Sequence, residues 1–284
     1  MTSLPSYDRT PGAGPTLVFL HYWGGSARTW DAVAECLVGR DMLAIDFRGW
    51  ARSRVLPGPY SLAQYAEDVA AVLAAEAVTD FVVVGHSMGA KVAQLIGSTL
   101  PPGLRGLVLV APAPAAPPPG ITPEYQQALS HAYDTVESTV HARDQILTGT
   151  ALSAAAKALV LADSSSGADE ARAEWPLRGI ADDIVTRTQQ VAVPALVVAG
   201  ERDIVEPVEV LRNHLLPYLR QATFVVVPAT GHLIPLERPV ELANLINRFV
   251  TTQKCSPGRK WPVRMSPPGR LDEVNPRGRS TAGR

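Results

Sequence analysis

The sequence predicts an α/β fold in which helices cover both faces of a mostly parallel sheet. The chain has 284 residues, of which 46% are apolar and 19% are charged, so it can bury one large core and is not globally disordered. Short runs of Val, Leu and Ile without strict alternation are typical of parallel strands covered on both faces. Helical patterns separate several of these runs, and this alternation predicts a doubly wound sheet.

The predicted elements follow one another in a regular order along most of the chain. Six apolar runs predict buried strands, at residues 16–20, 42–45, 81–84, 106–110, 195–199 and 223–227. Amphipathic patterns predict helices between and after them, at residues 30–37, 62–77, 88–100 and 239–249. Ser61 is suited to cap the second helix, because its hydroxyl can accept a hydrogen bond from the first turn.

One long segment interrupts this alternation. No strand pattern appears between Ala111 and Val193, and the segment opens with the stiff sequence PAPAAPPPG. Helical patterns follow at residues 124–147, 153–162, 168–175 and 180–190. The pattern predicts a helical insertion at residues 112–190, which would act as a lid over the carboxyl ends of the strands or serve as a structural subdomain. Residues 1–111 and 191–250 would form the core.

Charge is distributed unevenly along the chain. The net charge is −1, but residues 251–284 contain eight basic and two acidic side chains. This tail is rich in Pro, Gly and Arg, which predicts disorder, and it would be an inert extension or touch an anionic surface. The balanced overall charge predicts no nucleic-acid partner. Binding through the tail alone stays an alternative, which salt-sensitive binding would support.

The sequence lacks signals for targeting and for metal binding. A polar amino terminus and the absence of a long apolar run predict a cytoplasmic protein without a membrane span. The two cysteines, Cys36 and Cys255, do not match a disulfide framework or a metal site. Cys36 is expected to be a small buried residue. Nothing in the sequence predicts an oligomeric state.

The strongest chemical signal is Gly85-His86-Ser87-Met88-Gly89, which has the form G-x-S-x-G. It follows a predicted strand and begins a predicted helix, as a nucleophile elbow does. In such a turn the serine backbone is strained, and its hydroxyl projects above the sheet at a helix amino terminus. Ser87 is therefore the candidate nucleophile, and the alternative is a glycine-rich turn with an incidental serine.

With this motif in place, the chain resembles the α/β-hydrolase superfamily from about Thr16 to about Val250. The resemblance implies an α/β-hydrolase fold with a helical lid inserted after the sixth strand. It also implies a triad in the order Ser, Asp, His, with Asp203 of Gly200-Glu201-Arg202-Asp203 as the acid and His232 of Gly231-His232 as the base. Glu201 and Glu206 compete with Asp203. Five other histidines compete with His232, namely His21, His86, His131, His141 and His214.

The loop after the first predicted strand reads His21-Tyr22-Trp23-Gly24-Gly25, where relatives carry His-Gly-x-x. The resemblance implies that the backbone N–H groups of Trp23 and Met88 form an oxyanion hole. Tyr22 stands where glycine is usual, which places a phenol near the pocket. The motif Asp46-Phe47-Arg48-Gly49 resembles a polar turn that braces these loops.

The triad predicts a serine hydrolase that needs neither a metal nor an organic cofactor. Ser87 would attack a carbonyl, His232 would take its proton and Asp203 would orient the imidazole. Collapse of the tetrahedral intermediate would leave an acyl-serine, which water activated by His232 would cleave.

The substrate is predicted from the side chains around the triad. Tyr22, Leu233 and Ile234 indicate an apolar pocket, which His86 lines or braces, so the expected substrate is a small or medium apolar ester. Lactones, thioesters, carbon–carbon bonds and perhydrolysis stay open as alternatives. A ligand receptor or scaffold with an intact triad and little turnover is the alternative from another class.

Overall fold

The computed structural model describes residues 3–253, which contain one seven-stranded sheet. The strands in chain order are β1 (Tyr7–Thr10), β2 (Ala13–Leu20), β3 (Arg40–Ile45), β4 (Phe81–His86), β5 (Leu104–Val110), β6 (Ala195–Gly200) and β7 (Ala222–Val227). Their spatial order is β1-β3-β2-β4-β5-β6-β7. Only the β1–β3 pair is antiparallel among the described strands. Each predicted apolar run lies inside one strand, so the α/β fold with a mostly parallel sheet is confirmed.

Helices precede, connect and follow these strands. In chain order they are α1 (Asp31–Glu35), α2 (Leu62–Ala75), α3 (Met88–Ser98), α4 (Pro123–Ser130), α5 (Val136–His141), α6 (Ala154–Ser164), α7 (Asp169–Leu177), α8 (Val185–Thr188), α9 (Val208–His214), α10 (Ile234–Glu237) and α11 (Pro239–Gln253). As expected, Ser61 caps α2, since its Oγ accepts a hydrogen bond from the Gln64 N–H at 3.2 Å. None of the helices within residues 3–253 is long and apolar enough to cross a bilayer.

Two apolar clusters bury the sheet from its two faces. On β4, Val83 belongs to the cluster that includes residues of α2 and α3. Its neighbours Val82 and Val84 belong to the cluster that includes residues of α1 and α11. Successive side chains of a strand point to opposite faces, so a continuous run of valines contributes side chains to both clusters.

The first strand, β1, is missing from the predicted elements. Its residues pair antiparallel with β3 at the edge of the sheet, and their burial alternates between half-buried and exposed. A strand with one face in solvent carries polar side chains. The sequence Tyr-Asp-Arg-Thr therefore lacks the apolar run that identified the other strands.

The segment between β5 and β6, residues 111–194, is here called the cap. It contains helices α4–α8, and it follows the fifth strand of the described chain rather than a sixth. The helix expected at residues 124–147 is broken in two, because Thr135 caps a new helix by accepting a hydrogen bond from the Ser138 N–H at 3.0 Å. A π-helix, Ala142–Leu147, ends this part of the cap.

Two further expectations differ from the structure or lie outside it. Cys36 is exposed, since it follows the last turn of α1 on the side away from the core. Helix α11 continues to Gln253 and so includes the first three residues of the basic tail expected to start at residue 251. The remainder of that tail, with Cys255, lies outside the described residues.

The strand order indicates which edge of the sheet carries a ligand site. The chain passes from β2 to β3 on one side and then to β4 on the other, so the order reverses between β2 and β4. In open α/β sheets, ligands bind at the carboxyl ends of the strands where the order reverses. Leu20 and Gly85 are register partners at this point, which places the loops that follow them side by side.

Candidate active site

Ser87 occupies a tight turn between β4 and α3. Its backbone has φ 53° and ψ −113°, a conformation that costs a non-glycine residue about 1–3 kcal/mol. A Cβ added to Gly85 would lie 2.4 Å from the Gly89 carbonyl oxygen, and one added to Gly89 would lie 2.6 Å from the His21 carbonyl oxygen. Both positions therefore require glycine. The turn has the geometry of a nucleophile elbow, with the serine at the amino terminus of a helix.

Asp203 and His232 form a buried hydrogen-bonded pair. His232 Nδ1 and Asp203 Oδ2 are 2.9 Å apart, and both residues are buried. The other carboxylate oxygen, Oδ1, accepts hydrogen bonds from the backbone N–H groups of Val205 at 2.8 Å and Glu206 at 3.0 Å. The carboxylate is thus fixed in place and holds the proton on Nδ1 of the imidazole, which leaves Nε2 to accept a proton.

The two competing carboxylates make other contacts. Glu201 is exposed and accepts a hydrogen bond from the Ala229 N–H at 2.8 Å. Glu206 is buried, but its contact with Asp203 runs through its own backbone N–H. Asp203 is therefore the carboxylate that pairs with His232. Of the other histidines, His131 and His141 are exposed and His214 is half-buried, all away from this pair.

His86 connects the nucleophile turn to the histidine loop. Its Nε2 donates to the His232 carbonyl oxygen at 2.8 Å, and the two rings are 5.2 Å apart. Burial, followed by the nearby His232, holds the pKa of His86 well below its usual value, so the ring is neutral. Among the described residues no hydrogen bond joins the Ser87 hydroxyl to His232, and such bonds are often long in unliganded sites.

The loop after β2 is held by the cap. The Trp23 indole Nε1 donates to the Arg172 carbonyl oxygen at 3.0 Å, and its ring stacks on Tyr133 with centroids 4.2 Å apart. The Tyr133 hydroxyl donates in turn to the Trp23 carbonyl oxygen at 3.2 Å. Gly24 has φ +91°, and a Cβ there would lie 2.5 Å from the Tyr133 ring. The loop that carries the expected oxyanion donor is therefore closely packed.

The backbone N–H groups of Trp23 and Met88 have no acceptor within residues 3–253. Trp23 follows β2 and Met88 begins α3, and their parent strands are hydrogen-bonded neighbours. Uncommitted backbone donors beside a strained serine are what an oxyanion hole requires. The geometry is compatible with the role that the sequence resemblance implied for both residues.

The expected substrate-contacting side chains are all buried, in different surroundings. Tyr22 and Leu233 pack in one small cluster with Leu147, Leu152 and Val160 of the cap. Tyr22 also lies against His86, with ring centroids 5.0 Å apart. Ile234 differs from expectation, because it packs in the cluster on the α1 and α11 face of the sheet, on the far side from α3.

The polar motif after β3 braces the loop after β2, as expected. His21 Nδ1 donates to the Tyr22 carbonyl oxygen at 2.7 Å, and its Nε2 accepts from the Phe47 N–H at 3.0 Å. Burial lowers the pKa of His21, in keeping with a neutral ring that both donates and accepts. Asp46 accepts a hydrogen bond from the Ala27 N–H at 2.7 Å and thereby holds the end of the loop.

Glu237 connects the cap to the histidine loop, a role the sequence analysis missed. Its Oε2 accepts from the backbone N–H groups of Gly149 at 2.9 Å, Thr150 at 2.8 Å and Gly231 at 3.1 Å. The His232 N–H donates to the Leu147 carbonyl oxygen at 2.9 Å. The position of the candidate base therefore depends on the cap. Glu237 lies five residues after His232, but a glutamate near a proline-initiated helix gives no sequence signal of these long-range contacts.

Comparison with known proteins relates this arrangement to a family. The model of the alpha/beta hydrolase family matches residues 17–245. Pimeloyl-[acyl-carrier protein] methyl ester esterase of Pseudoalteromonas atlantica is 34% identical over 128 residues, which are 43% of this chain and 48% of that enzyme. The sn-1-specific diacylglycerol lipase ABHD11 of Mus musculus is 26% identical over 251 residues, 83% of this chain and 81% of that protein.

A solved structure of similar fold extends the comparison beyond the sequence. The esterase EaEST from Exiguobacterium antarcticum matches with a TM-score of 0.79, covering 86% of this chain and 94% of that one at 18% identity. At this identity the likeness concerns the fold alone. Because the family model covers most of the chain, from β2 into α11, and the chain has the matching fold, it belongs to the alpha/beta hydrolase family.

Proposed function

We propose that this protein is a serine hydrolase that cleaves a small or medium carboxylic ester, with Ser87 as the nucleophile. The observation that carries the proposal is the 2.9 Å Asp203–His232 pair at the same edge of the sheet as the strained Ser87 turn. A hydroxyl at a helix amino terminus, an imidazole and a buried carboxylate are the groups that acyl transfer through a serine requires.

In the first step, the Ser87 Oγ attacks the ester carbonyl carbon and His232 Nε2 takes the hydroxyl proton. The carbonyl electron pair moves to oxygen and forms a tetrahedral oxyanion. Asp203 supports this step because its negative charge stabilises the imidazolium and its contact with Nδ1 keeps the ring oriented. The N–H groups of Trp23 and Met88 would hold the oxyanion, and one such donor contributes about 3–4 kcal/mol in other enzymes.

In the second step, the bond to the alkoxy group breaks and the alcohol leaves with the proton from His232. Water then attacks the acyl carbon while His232 takes a proton from the water. The bond from that carbon to the Ser87 Oγ breaks and His232 returns the proton to Oγ, so the products are a carboxylic acid and free Ser87. The steps use only side chains and backbone groups of this chain together with water.

The surroundings of Ser87 support an ester with an apolar part. The small cluster of Tyr22 and Leu233 with cap residues gives one side of the site an apolar lining. Because Ser87 is only 6% exposed, a substrate would have to displace part of the cap, which would then act as a lid. The relatives named as a methyl ester esterase and a diacylglycerol lipase also support an ester.

The test is hydrolysis of p-nitrophenyl esters from acetate to octanoate by the wild type and by Ser87→Ala. We expect turnover in the wild type that falls by about 10⁴-fold or more in the variant, since loss of a triad serine has that effect elsewhere. The matched control is Ser98→Ala in the same helix, whose hydroxyl donates to the Leu95 carbonyl oxygen at 2.7 Å, far along α3 from the elbow. A folded wild type without turnover on any ester would favour a receptor or scaffold.

A further inference from the structure

A lysine is buried between α3 and the cap. Lys91 lies one helical turn after Ser87, and its backbone N–H donates to the Ser87 carbonyl oxygen at 3.1 Å. Positions four apart share one face of a helix, and helical side chains lean toward the amino terminus. The Lys91 side chain, which is 0% exposed, therefore lies on the Ser87 side of α3 and reaches the cap at Ile180.

The ammonium group of Lys91 is poorly compensated. Its Nζ donates to the Ile180 carbonyl oxygen at 3.3 Å and lies 5.9 Å from the centroid of the Trp175 ring. Within the part of the chain that the structure describes, it makes no second hydrogen bond and no carboxylate lies within 4.0 Å. A buried charge with so little compensation is costly. Methionine would fill the same space without this cost, so packing does not explain the lysine.

Glu206 is a second buried polar group, and its carboxyl group and the Lys91 ammonium act on each other electrostatically. The Glu206 side chain is 6% exposed and has no hydrogen bond to any of residues 3–253, although its backbone N–H binds Asp203. Burial and then the charge of Asp203 raise the pKa of Glu206 well above its usual value, while the charge of Lys91 acts in the opposite direction. This shift favours the protonated carboxyl group, whose O–H is a hydrogen-bond donor.

We propose that Lys91 and Glu206 form a subsite that binds a carboxylate group of the substrate. The inference rests on the proposed function and deepens it. The substrate would be a half ester of a dicarboxylic acid, with its ester carbonyl at Ser87 and its free carboxylate accepting hydrogen bonds from the Lys91 ammonium and the Glu206 carboxyl. Both groups are donors, and a carboxylate offers only acceptors.

The charges around the subsite favour a group with one negative charge. Asp182 and Asp183 of the cap, and Glu206 after β6, are the acidic groups that act on Lys91, and Asp203 lies beyond Glu206. A single ammonium balances one negative charge, and nearby acids repel a dianion about twice as strongly as a monoanion, so a carboxylate suits the subsite better than a phosphate dianion. Burial lowers the pKa of Lys91 to about 8, so the ammonium is charged at pH 7 and loses its proton as the pH rises through that value.

The kinetic test compares monomethyl adipate with dimethyl adipate, which has the same chain and no charge. We expect the wild type to favour the half ester in kcat/KM by about tenfold or more, through KM, and Lys91→Met to lose that preference, because a buried donor set discriminates strongly against a group it cannot bind. The preference should also fall above pH 8. Lys157→Met is the matched control, since the charge of this cap lysine acts on Asp144 instead.

A binding test needs no turnover. The thermal unfolding midpoint of Ser87→Ala is measured with and without monomethyl adipate, and again with Lys91→Met added. We expect the half ester to stabilise Ser87→Ala but not the double variant. Without ligand, Lys91→Met should raise the midpoint, whereas a lysine with a structural role would leave it lower on replacement.

The outcomes separate the subsite from the hydrolase. If the wild type cleaves both esters equally and Lys91→Met alters neither the ratio nor the ligand stabilisation, the subsite is overturned and the hydrolase stands. If neither ester is cleaved but the half ester binds through Lys91, the subsite stands and the proposed function fails. Absence of both turnover and Lys91-dependent binding overturns both.

Discussion

The sheet and the contact between the cap and the histidine loop are stabilised differently. The sheet is covered on its two faces by two large apolar clusters, in which strand residues such as Val83 and Val198 are completely buried. The cap shares the larger of these clusters through residues such as Tyr133 and Trp175. It also contacts the loops at the carboxyl edge through hydrogen bonds, in which the His232 N–H donates to the Leu147 carbonyl oxygen and the Ser164 hydroxyl donates to the Gly24 carbonyl oxygen. Its apolar contact with the histidine loop is a small cluster around Tyr22 and Leu233.

This difference separates two tasks of the molecule. The sheet supplies stability and fixes where Ser87 stands, because burial of apolar surface is the main stabilising contribution. The cap holds in position the two loops that carry Trp23 and His232. The contact between the cap and the histidine loop has few apolar side chains, and regions of this kind open locally at lower free energy than the core. Changes in the sheet should therefore reduce stability more than activity, and changes at the cap contacts should do the reverse.

The largest expected effect is on activity alone. Asp203→Asn keeps the size of the side chain, but the amide NH₂ would take the place of Oδ2 and donate to His232 Nδ1. The imidazole would then carry its proton on Nε2, the wrong tautomer for a base, so kcat should fall by about 10³–10⁴-fold. The melting temperature should change little. Ester turnover and thermal unfolding of the same samples measure both, and a variant with near wild-type kcat would remove Asp203 from the mechanism.

The second prediction concerns the sheet. Leu107→Ala in β5 removes a completely buried side chain and should lower the free energy of unfolding by about 2–5 kcal/mol. At a temperature where the variant is folded, its kcat should stay within about twofold of the wild-type value, because this residue is remote from the carboxyl-edge loops. Denaturant unfolding checks the first value, with Leu177→Ala on the exposed surface of the cap as control. Equal losses in the two variants would contradict the comparison.

The smallest effect is expected at the contact between the cap and the histidine loop. Glu237→Gln puts a neutral amide in place of a carboxylate that accepts hydrogen bonds from three backbone N–H groups. The free energy of unfolding should fall by about 1–2 kcal/mol. Because Gly231 precedes His232, kcat should fall as well, by about tenfold. The exposed Glu241→Gln in α11 is the matched control. If Glu237→Gln changed stability but not kcat, the cap would not position the base.

The sequence predicted the sheet well for a physical reason. Buried parallel strands need apolar side chains on both faces, so β2 and β4–β7 appear as runs of valine and leucine. The edge strand β1 has one exposed face and no such run. The Ser87 turn was predictable as well, because glycine is required on both sides of it. The pairing of Asp203 with His232 agrees with the order of motifs that the family resemblance implied.

Long-range polar contacts could not be predicted from the chain. Asp68 follows Glu67 in α2 and has the charge of a surface residue. In the structure it is buried and accepts two hydrogen bonds of 2.6 Å from the Arg48 guanidinium. Lys91 and Glu206 likewise have the charges of surface residues, and only the packing of the cap buries them. A charged residue in a helical pattern usually faces water. Its burial depends on elements distant in sequence.

The most direct test of the account is covalent labelling of the protein with a fluorophosphonate, followed by mass spectrometry of the peptides. A nucleophilic serine attacks the phosphorus and displaces fluoride, so the label marks the activated residue. The account predicts one adduct on Ser87 that is absent in Ser87→Ala and strongly slowed in His232→Ala. A folded protein that takes up no label, or takes it up at another serine, would contradict the account.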